Sequence, residues 1–204
     1  VYVGNRGTQI FVRPLDALAP TVAYTGTPRG LFVSPDGQWI GFTEGVGVLM
    51  KVALTGGPIT TLATPDASGP SGGTWGPNDT VIVATNLAET GLQSVARAGG
   101  PVTVLTRPDR ALGESDHFWP EMLPDGRHVL FTITALTGGL DAAQVALLDL
   151  QTLKYLTILR GGSHARYVSS GHLVYAAAGK LWACRSICPV LRCAARRFRW
   201  SPMS

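Results

Sequence analysis

Apolar residues come in short runs, and each run ends near a cluster of Gly, Pro, Asn, Asp or Ser. Leu31–Val33 stops at Ser34-Pro35-Asp36-Gly37, and Thr74–Trp75 stops at Gly76-Pro77-Asn78-Asp79. Phe118–Trp119 precedes Pro124-Asp125-Gly126, and Tyr167–Val168 precedes Ser169-Ser170-Gly171. Proline sets φ at the second position of a turn, and Asp or Asn with Gly makes its tight exit. A second run follows each turn: Trp39–Phe42, Val81–Ala84, His128–Thr132 and Leu173–Tyr175. A third comprises Val48–Val52, Leu92–Val95 and Val145–Leu148. In two units a Gly-Gly-Pro turn leads to a fourth, Ile59–Leu62 or Val102–Leu105. Such runs read as strands, and tight turns between them make antiparallel meanders. No long segment holds a clean helical period, so helices are expected to be rare.

The pattern repeats. Lys51–Leu62 and Ser94–Leu105 match at seven of twelve positions, offset by 43 residues. The turn prolines Pro35 and Pro77 are 42 residues apart, Pro124 follows 47 residues later, and Gly171 lies 45 residues after Gly126. Units of about 40–45 residues with four strands each are the signature of propeller blades. A β-sandwich does not require such spacing. The sequence therefore predicts an all-β chain, a partial β-propeller of four-stranded antiparallel blades. Three blades are complete, at about 28–64, 71–107 and 116–160. Residues 1–27 read as the last half of a blade, with strands near Gln9–Asp16 and Thr21–Tyr24, and 163–183 as the start of another. A chain of this pattern is expected to belong to a larger polypeptide, with open edges that make it marginal or aggregation-prone alone.

Composition sharpens this picture. Hydrophobic residues are 45% and charged residues 15%, enough apolar material for a core and too little charge for a disordered chain. The net charge of +4 misleads, because five arginines and no acid fall between Cys184 and Ser204. Without them the body carries −1, which argues against a nucleic-acid partner. No run is long and apolar enough for a membrane span, and the first residues show no signal-peptide pattern. No membrane contact is expected of this segment itself. All three cysteines, Cys184, Cys188 and Cys193, also sit in the tail. Three thiols without a fitting fourth ligand are a weak metal signal. Residues 184–204 read instead as an aberrant tail, of the kind out-of-frame translation produces.

Phe32–Phe42 resembles the WD-repeat-like blade of TolB-type propellers. The ordered set Gly72–Pro77, Gly113–Pro120 with Leu123–Gly126, and Gly161–Tyr167 is similar to the propellers fused behind bacterial eukaryotic-type serine/threonine kinases. The resemblance covers about residues 8–183. It implies a non-catalytic sensor or interaction module on the extracytoplasmic side of a membrane-anchored parent. A free TolB-like scaffold, or the gating propeller of a prolyl-oligopeptidase-type peptidase, are the alternatives. The chain itself has no Gly-rich phosphate loop, His-Arg-Asp loop or Asp-Phe-Gly. It is expected not to be an enzyme and to need no cofactor. Its protein or small-molecule ligand is not named by the sequence.

Several residues carry chemistry that must be weighed. Ser115-Asp116-His117 places a hydroxyl, a carboxylate and an imidazole side by side, but neighbours on an extended segment point to opposite faces and do not converge as a triad. Asp36, Asp79 and Asp125 occupy equivalent turns, where Asp bonds its own backbone. Trp39, Trp75 and Trp119 fit packing between blades better than a stacking platform. His128 and His172 follow their turns without metal-ligand company. Recognition is expected on loops that lead into the first strand of each blade: Thr27–Gly30, Ser71–Thr74, Glu114–Phe118 and Ser163–Arg166. Two of these carry ionisable groups in matching places, Glu114, Asp116 and His117 in one, His164 and Arg166 in the other. They are the candidate channel-mouth binding residues. The competing reading is that they pair with one another and fix adjacent blades.

Overall fold

A computed structural model describes residues 1–65, 70–77, 79–87, 89–187, 192–193 and 198–199. Turn position Asn78, Cys188 and most of the tail lie outside these residues.

The strand runs become five antiparallel sheets in chain order. The first holds β1 (Tyr2–Gly4), β2 (Gln9–Val12) and β3 (Thr21–Thr25). The second holds β4 (Pro28–Val33), β5 (Trp39–Glu44), β6 (Val48–Ala53) and β7 (Thr60–Ala63). The third holds β8 (Pro70–Trp75), β9 (Thr80–Thr85), β10 (Leu92–Ala96) and β11 (Thr103–Val104). The fourth holds β12 (Glu114–Met122), β13 (His128–Ala135), β14 (Gln144–Asp149) and β15 (Lys154–Arg160). The fifth is built on β16 (Ser163–Val168), β17 (His172–Ala177) and β18 (Lys180–Ile187), joined by two short strands at 192–193 and 198–199. Every pairing is between sequence neighbours and antiparallel up to β18, so each sheet is a meander. Among the described residues, helix is confined to three short 3-10 turns. The fold is an all-β partial propeller.

The turns form as their residues dictate. Gly37 N–H donates to Ser34 O at 2.8 Å, and the Asp36 carboxylate accepts from Gln38 N–H at 3.0 Å and from the Ser34 hydroxyl. Asp125 repeats the device, accepting from the N–H groups of Arg127 and His128 at 2.9 and 3.0 Å. After the third strand, Gly56 and Gly99 close equivalent turns onto Ala53 O and Ala96 O, both at 2.8 Å. This accounts for the matching Gly-Gly-Pro segments.

The period-2 alternation of each sheet feeds two neighbours. Ile40, Phe42 and Val52 pack on Ile10 and Val12 of the first sheet. Leu49 and Leu62 face Trp75, Val81, Val83 and Val95 of the third. Ile82, Ala84 and Leu92 face Val129, Phe131 and Ile133 of the fourth. Leu130, Val145 and Leu147 face Ala165, Leu173 and Tyr175 of the fifth. The core is therefore four apolar layers between stacked sheets. The first strands β4, β8 and β12 of consecutive sheets also touch, which puts them at the inner edge where a propeller has its channel.

Two expectations need correction. The first sheet has three strands, because Tyr2–Gly4 pairs with Gln9–Phe11. The segments expected to be loops leading into the first strands lie largely within strands: Pro28–Gly30 in β4, Ser71–Thr74 in β8, Glu114–Phe118 in β12 and Ser163–Arg166 in β16. Their polar residues were read as loop signals, yet their backbones complete the sheet ladders. Asp116 and His117 pair with Thr134 and Ile133 in consecutive register, so their side chains alternate between the two faces of the sheet as expected. A bulge between Glu114 and Asp116 precedes them, and Glu114, Asp116 and His117 are all buried because neighbouring blades cover both faces.

Candidate functional site at the inner strands

The five sequence candidates fall into two separate groups. Glu114, Asp116 and His117 lie at the start of β12 and are at most 5% exposed. Glu114 Oε2 accepts from Asp109 N–H at 2.7 Å and from the Tyr155 hydroxyl at 2.9 Å, and meets His117 Nε2 at 3.1 Å. Thr106 Oγ1, from the end of the preceding blade, accepts from Leu92 N–H at 2.8 Å and meets His117 Nδ1 at 2.8 Å. With Nε2–H donating to Glu114, Nδ1 is the acceptor for the Thr106 hydroxyl. The imidazole also packs on Phe131 and Tyr155, at 4.8 and 5.2 Å between ring centroids. Burial alone raises the Glu114 carboxyl, but the hydrogen bonds from His117, Asp109 N–H and Tyr155 outweigh it and hold it below its ordinary value. Tyr155 is pushed up by burial and by its bond to Glu114. Asp116 has less support, so burial pushes it up to about 6 against the His117 N–H and the charge of Arg110. This cluster ties blade to blade and is closed to a ligand.

His164 and Arg166 sit elsewhere. Arg166 donates to Glu121 Oε2 at 2.7 Å, and Tyr167 N–H donates to Glu121 Oε1 at 2.9 Å. His164 N–H donates to Thr132 Oγ1 at 3.0 Å. Its ring stacks on Trp119, with centroids 3.3 Å apart. Burial against the neighbouring blade, then the charge of Arg166, lowers the His164 pKa. Among the described residues no hydrogen bond or ion pair joins this group to Glu114, Asp116 or His117. The two sets do not occupy matching places. His164 corresponds to Trp119 and Arg166 to Glu121, because β12 has nine residues where β16 has six.

That correspondence exposes a feature the sequence reading missed. Every inner strand carries a bulge about five residues before its turn: between Arg29 and Phe32, Pro70 and Gly73, Phe118 and Glu121, and Ser163 and Arg166. The residues at the shared position are Gly30, Gly72, Trp119 and His164, and all four have positive φ, at 60°, 102°, 53° and 52°. Glycine adopts this conformation freely, whereas a bulky L-residue is strained there by about 1–3 kcal/mol. Two blades use the unstrained residue and two use aromatic rings. The rings sit side by side on the inner edge, with His164 exposed. A Cβ on Gly72 would lie 3.0 Å from Trp119 Cα, so Gly72, Trp119 and His164 adjoin from blade to blade. The signal was in the sequence, five residues ahead of Pro35, Pro77, Pro124 and Ser169, but only once the turns are aligned.

The remaining candidates take structural places. Trp75 is buried against Phe32, at 5.8 Å between ring centroids, and Arg97 lies over it and over Trp39. Arg97 also spans Asp36 and Asp79, at 3.6 and 3.4 Å. His128 pairs with Asp125 at 2.6 Å, and His172 bonds Ser170. Cys184 is disulfide-bonded and so offers no free thiol. Among the described residues no group of three or more His, Cys, Asp or Glu is placed to hold a metal ion. No helix among them is long and apolar enough to cross a membrane.

No family model and no curated protein matches the sequence. Solved structures do match the fold. TolB from Acinetobacter baumannii aligns at a TM-score of 0.67 and 16% identity over 87% of this chain and 46% of its own. An oligogalacturonate lyase from Vibrio parahaemolyticus aligns at 0.66 and 14%, over 88% of this chain and 58% of its own. The calcium-binding protein regucalcin from Agrobacterium tumefaciens aligns at 0.62 and 13%, over 84% and 58%. The chain thus spans about half the length of these structures, and at such identities the likeness concerns the fold alone. It is a TolB-like propeller architecture.

Proposed function

We propose that this chain is a non-catalytic binding segment of a larger propeller, and that Trp119, His164 and Arg166 at the inner edge form its recognition surface. The observation that carries this reading is the aromatic pair held in left-handed backbone where sister blades use glycine. Strain retained where the fold offers a relaxed solution points to a role other than folding. Arg166 remains 58% exposed beside Glu121 and adds a guanidinium fork suited to a carboxylate or phosphate. The ordered motifs of the sequence support a bacterial serine/threonine kinase as the parent, with the propeller on its extracytoplasmic side. No catalytic role is assigned to the segment.

Two experiments test this. The first is a thermal-shift screen of small anionic and aromatic compounds on wild type and on His164→Gly. Compounds that raise the wild-type Tm are expected to leave the variant unmoved, while its own Tm stays within a few degrees of wild type. Equal shifts in both proteins would refute the site. The second is sequencing of the gene upstream of the Val1 codon, where a kinase domain followed by an apolar span is expected. A signal peptide followed directly by blades would refute the kinase parent.

A further inference from the structure

A second feature lies at the inner edge of the first sheet. Its register makes its strands equivalent to those of the complete blades. A bulge falls between Ile10 and Phe11 opposite β3, between Leu49 and Met50 opposite β7, and between Val145 and Ala146 opposite β15. Ile10, Leu49 and Val145 therefore share one position. On their other side they pair with Val3, Thr43 and Thr132. So β1 is a second strand, equivalent to β5 and β13. Those two are covered on their inner edge by β4 and β12, whereas the order of the first sheet starts at β1.

Burial shows the consequence. Paired residues share a face, so Val3 lies on the side that Ile10 turns toward the second blade. It is nonetheless 37% exposed, whereas Thr43 is 6% and Thr132 0% exposed. In the complete blades an inner-strand residue sits beside this place, Arg29 opposite Thr43 and Phe118 opposite Thr132. A strand edge with unpaired backbone groups and exposed apolar side chains is a template for another strand. The edge also continues an interface already built. β1 touches β4, β4 touches β8, and β8 touches β12, so a strand laid on β1 would extend the row of inner strands.

We infer that the inner edge of β1 takes up an extended antiparallel strand of the parent polypeptide, the segment directly N-terminal to Val1. The inference rests on the larger-propeller part of the proposed function, and neither on the kinase parent nor on the Trp119–His164 pair. The connections favour this segment. In each sheet that has an inner strand, a short turn joins it to the second strand: Val33 to Trp39, Trp75 to Thr80, Met122 to His128 and Val168 to His172. The segment leading into β1 reaches the edge by the same short path. Its bulge residue would stand beside Gly30 as a fifth member of the row formed by Gly30, Gly72, Trp119 and His164.

The test compares the 204-residue chain with one extended by the roughly twenty codons that precede Val1 in its own gene. Both are labelled with nitrogen-15, and amide hydrogen exchange is followed by NMR. The amides of Tyr2–Gly4 are expected to exchange at least about a hundredfold more slowly in the extended chain. Val3→Asp is expected to lower the Tm of the extended chain by at least about 4 °C and that of the 204-residue chain by no more than about 1 °C. If the extended chain is insoluble, the same upstream residues are added as a synthetic peptide, and protect Tyr2–Gly4 where a scrambled peptide does not. Unchanged exchange at Tyr2–Gly4 overturns the inference, as does an equal effect of Val3→Asp in both chains. Protection seen in the 204-residue chain alone and lost on dilution overturns it too, and assigns the edge to a second copy. Protection by an extension that no kinase domain precedes supports the inference and refutes only the kinase parent.

Discussion

Replacing Asp116 by Asn is expected to stabilise the protein at neutral pH. Asp116 is 5% exposed, and its carboxylate accepts one N–H, that of His117, at 2.8 Å. Burial raises its pKa from the ordinary 3.8 to about 6, with the His117 N–H and the Arg110 charge opposing. At about 1.4 kcal/mol per pH unit, that difference corresponds to about 3 kcal/mol. The sign follows from where the proton is held more tightly. The folded carboxyl keeps its proton to higher pH than the unfolded one. Its favourable contribution is therefore complete below about pH 4 and is lost as pH rises through about 6. Asn keeps the acceptor for His117 N–H and never ionises. The stability of Asp116→Asn relative to wild type should thus rise between about pH 4 and 6 and level off above about pH 7, by roughly 2–3 kcal/mol. The other ionisable groups near this place, Glu114, His117 and Arg110, are common to both proteins and largely cancel in the comparison. Urea denaturation followed by tryptophan fluorescence at half-unit steps from pH 4 to 8 measures the difference. A flat difference across that range, or an Asn variant less stable than wild type at pH 7.5, would refute the reasoning.

Other substitutions test other contacts. Tyr155→Phe removes one of the hydrogen bonds on the buried Glu114 carboxylate and should cost about 1.5–3 kcal/mol in the same assay. Because that carboxyl is held below its ordinary value, its stabilising contribution is present at neutral pH and fades as pH falls below about 4.5, so the cost should shrink in acid. Gly72→Ala meets both a φ of +102° and Trp119 Cα at 3.0 Å, and should lower stability by about 1–3 kcal/mol; an unchanged urea midpoint would contradict the close approach of β8 and β12. Arg166→Ala breaks an ion pair whose arginine is mostly exposed, and should cost no more than about 1 kcal/mol by urea titration. Tyr2 and Val22 lie 45% and 48% exposed on the first sheet, so sedimentation velocity of the isolated chain should show self-association that Val22→Lys reduces.

Much of the fold was legible because propeller blades write their own punctuation. Pro35, Pro77 and Pro124 mark turns by restricting φ, and the paired Gly-Gly-Pro segments close onto Ala53 and Ala96 in the same way. What failed was the reading of polar residues as loop. Glu114 and His117 are polar because they bond Asp109, Tyr155 and Thr106 inside the protein, partners up to 41 residues away in sequence that no strand-period pattern reveals. The bulge at Glu114 also shifts the alternation by one residue, which no strand-period argument anticipates. The pairing of Trp119 with His164 was hidden for a related reason. One was classed as packing and the other as a loop residue, and only the shared bulge position makes them equivalent. Thr74 and Glu121 are likewise equivalent, each accepting a backbone N–H from the next blade, Met122 at 3.1 Å and Tyr167 at 2.9 Å. Neither residue type suggests the other.

The central claim is that adjacent inner strands bring Trp119 and His164 face to face as an accessible pair. Imidazole NMR of the full chain across pH 5 to 8 tests it most directly, with His164 assigned by its loss in His164→Gln. The account predicts His164 ring protons shifted upfield by the indole, a pKa below 6.5, and movement of both toward free-histidine values in Trp119→Leu. Ring-proton shifts and a pKa at free-histidine values in the wild type, unaffected by Trp119→Leu, would contradict it.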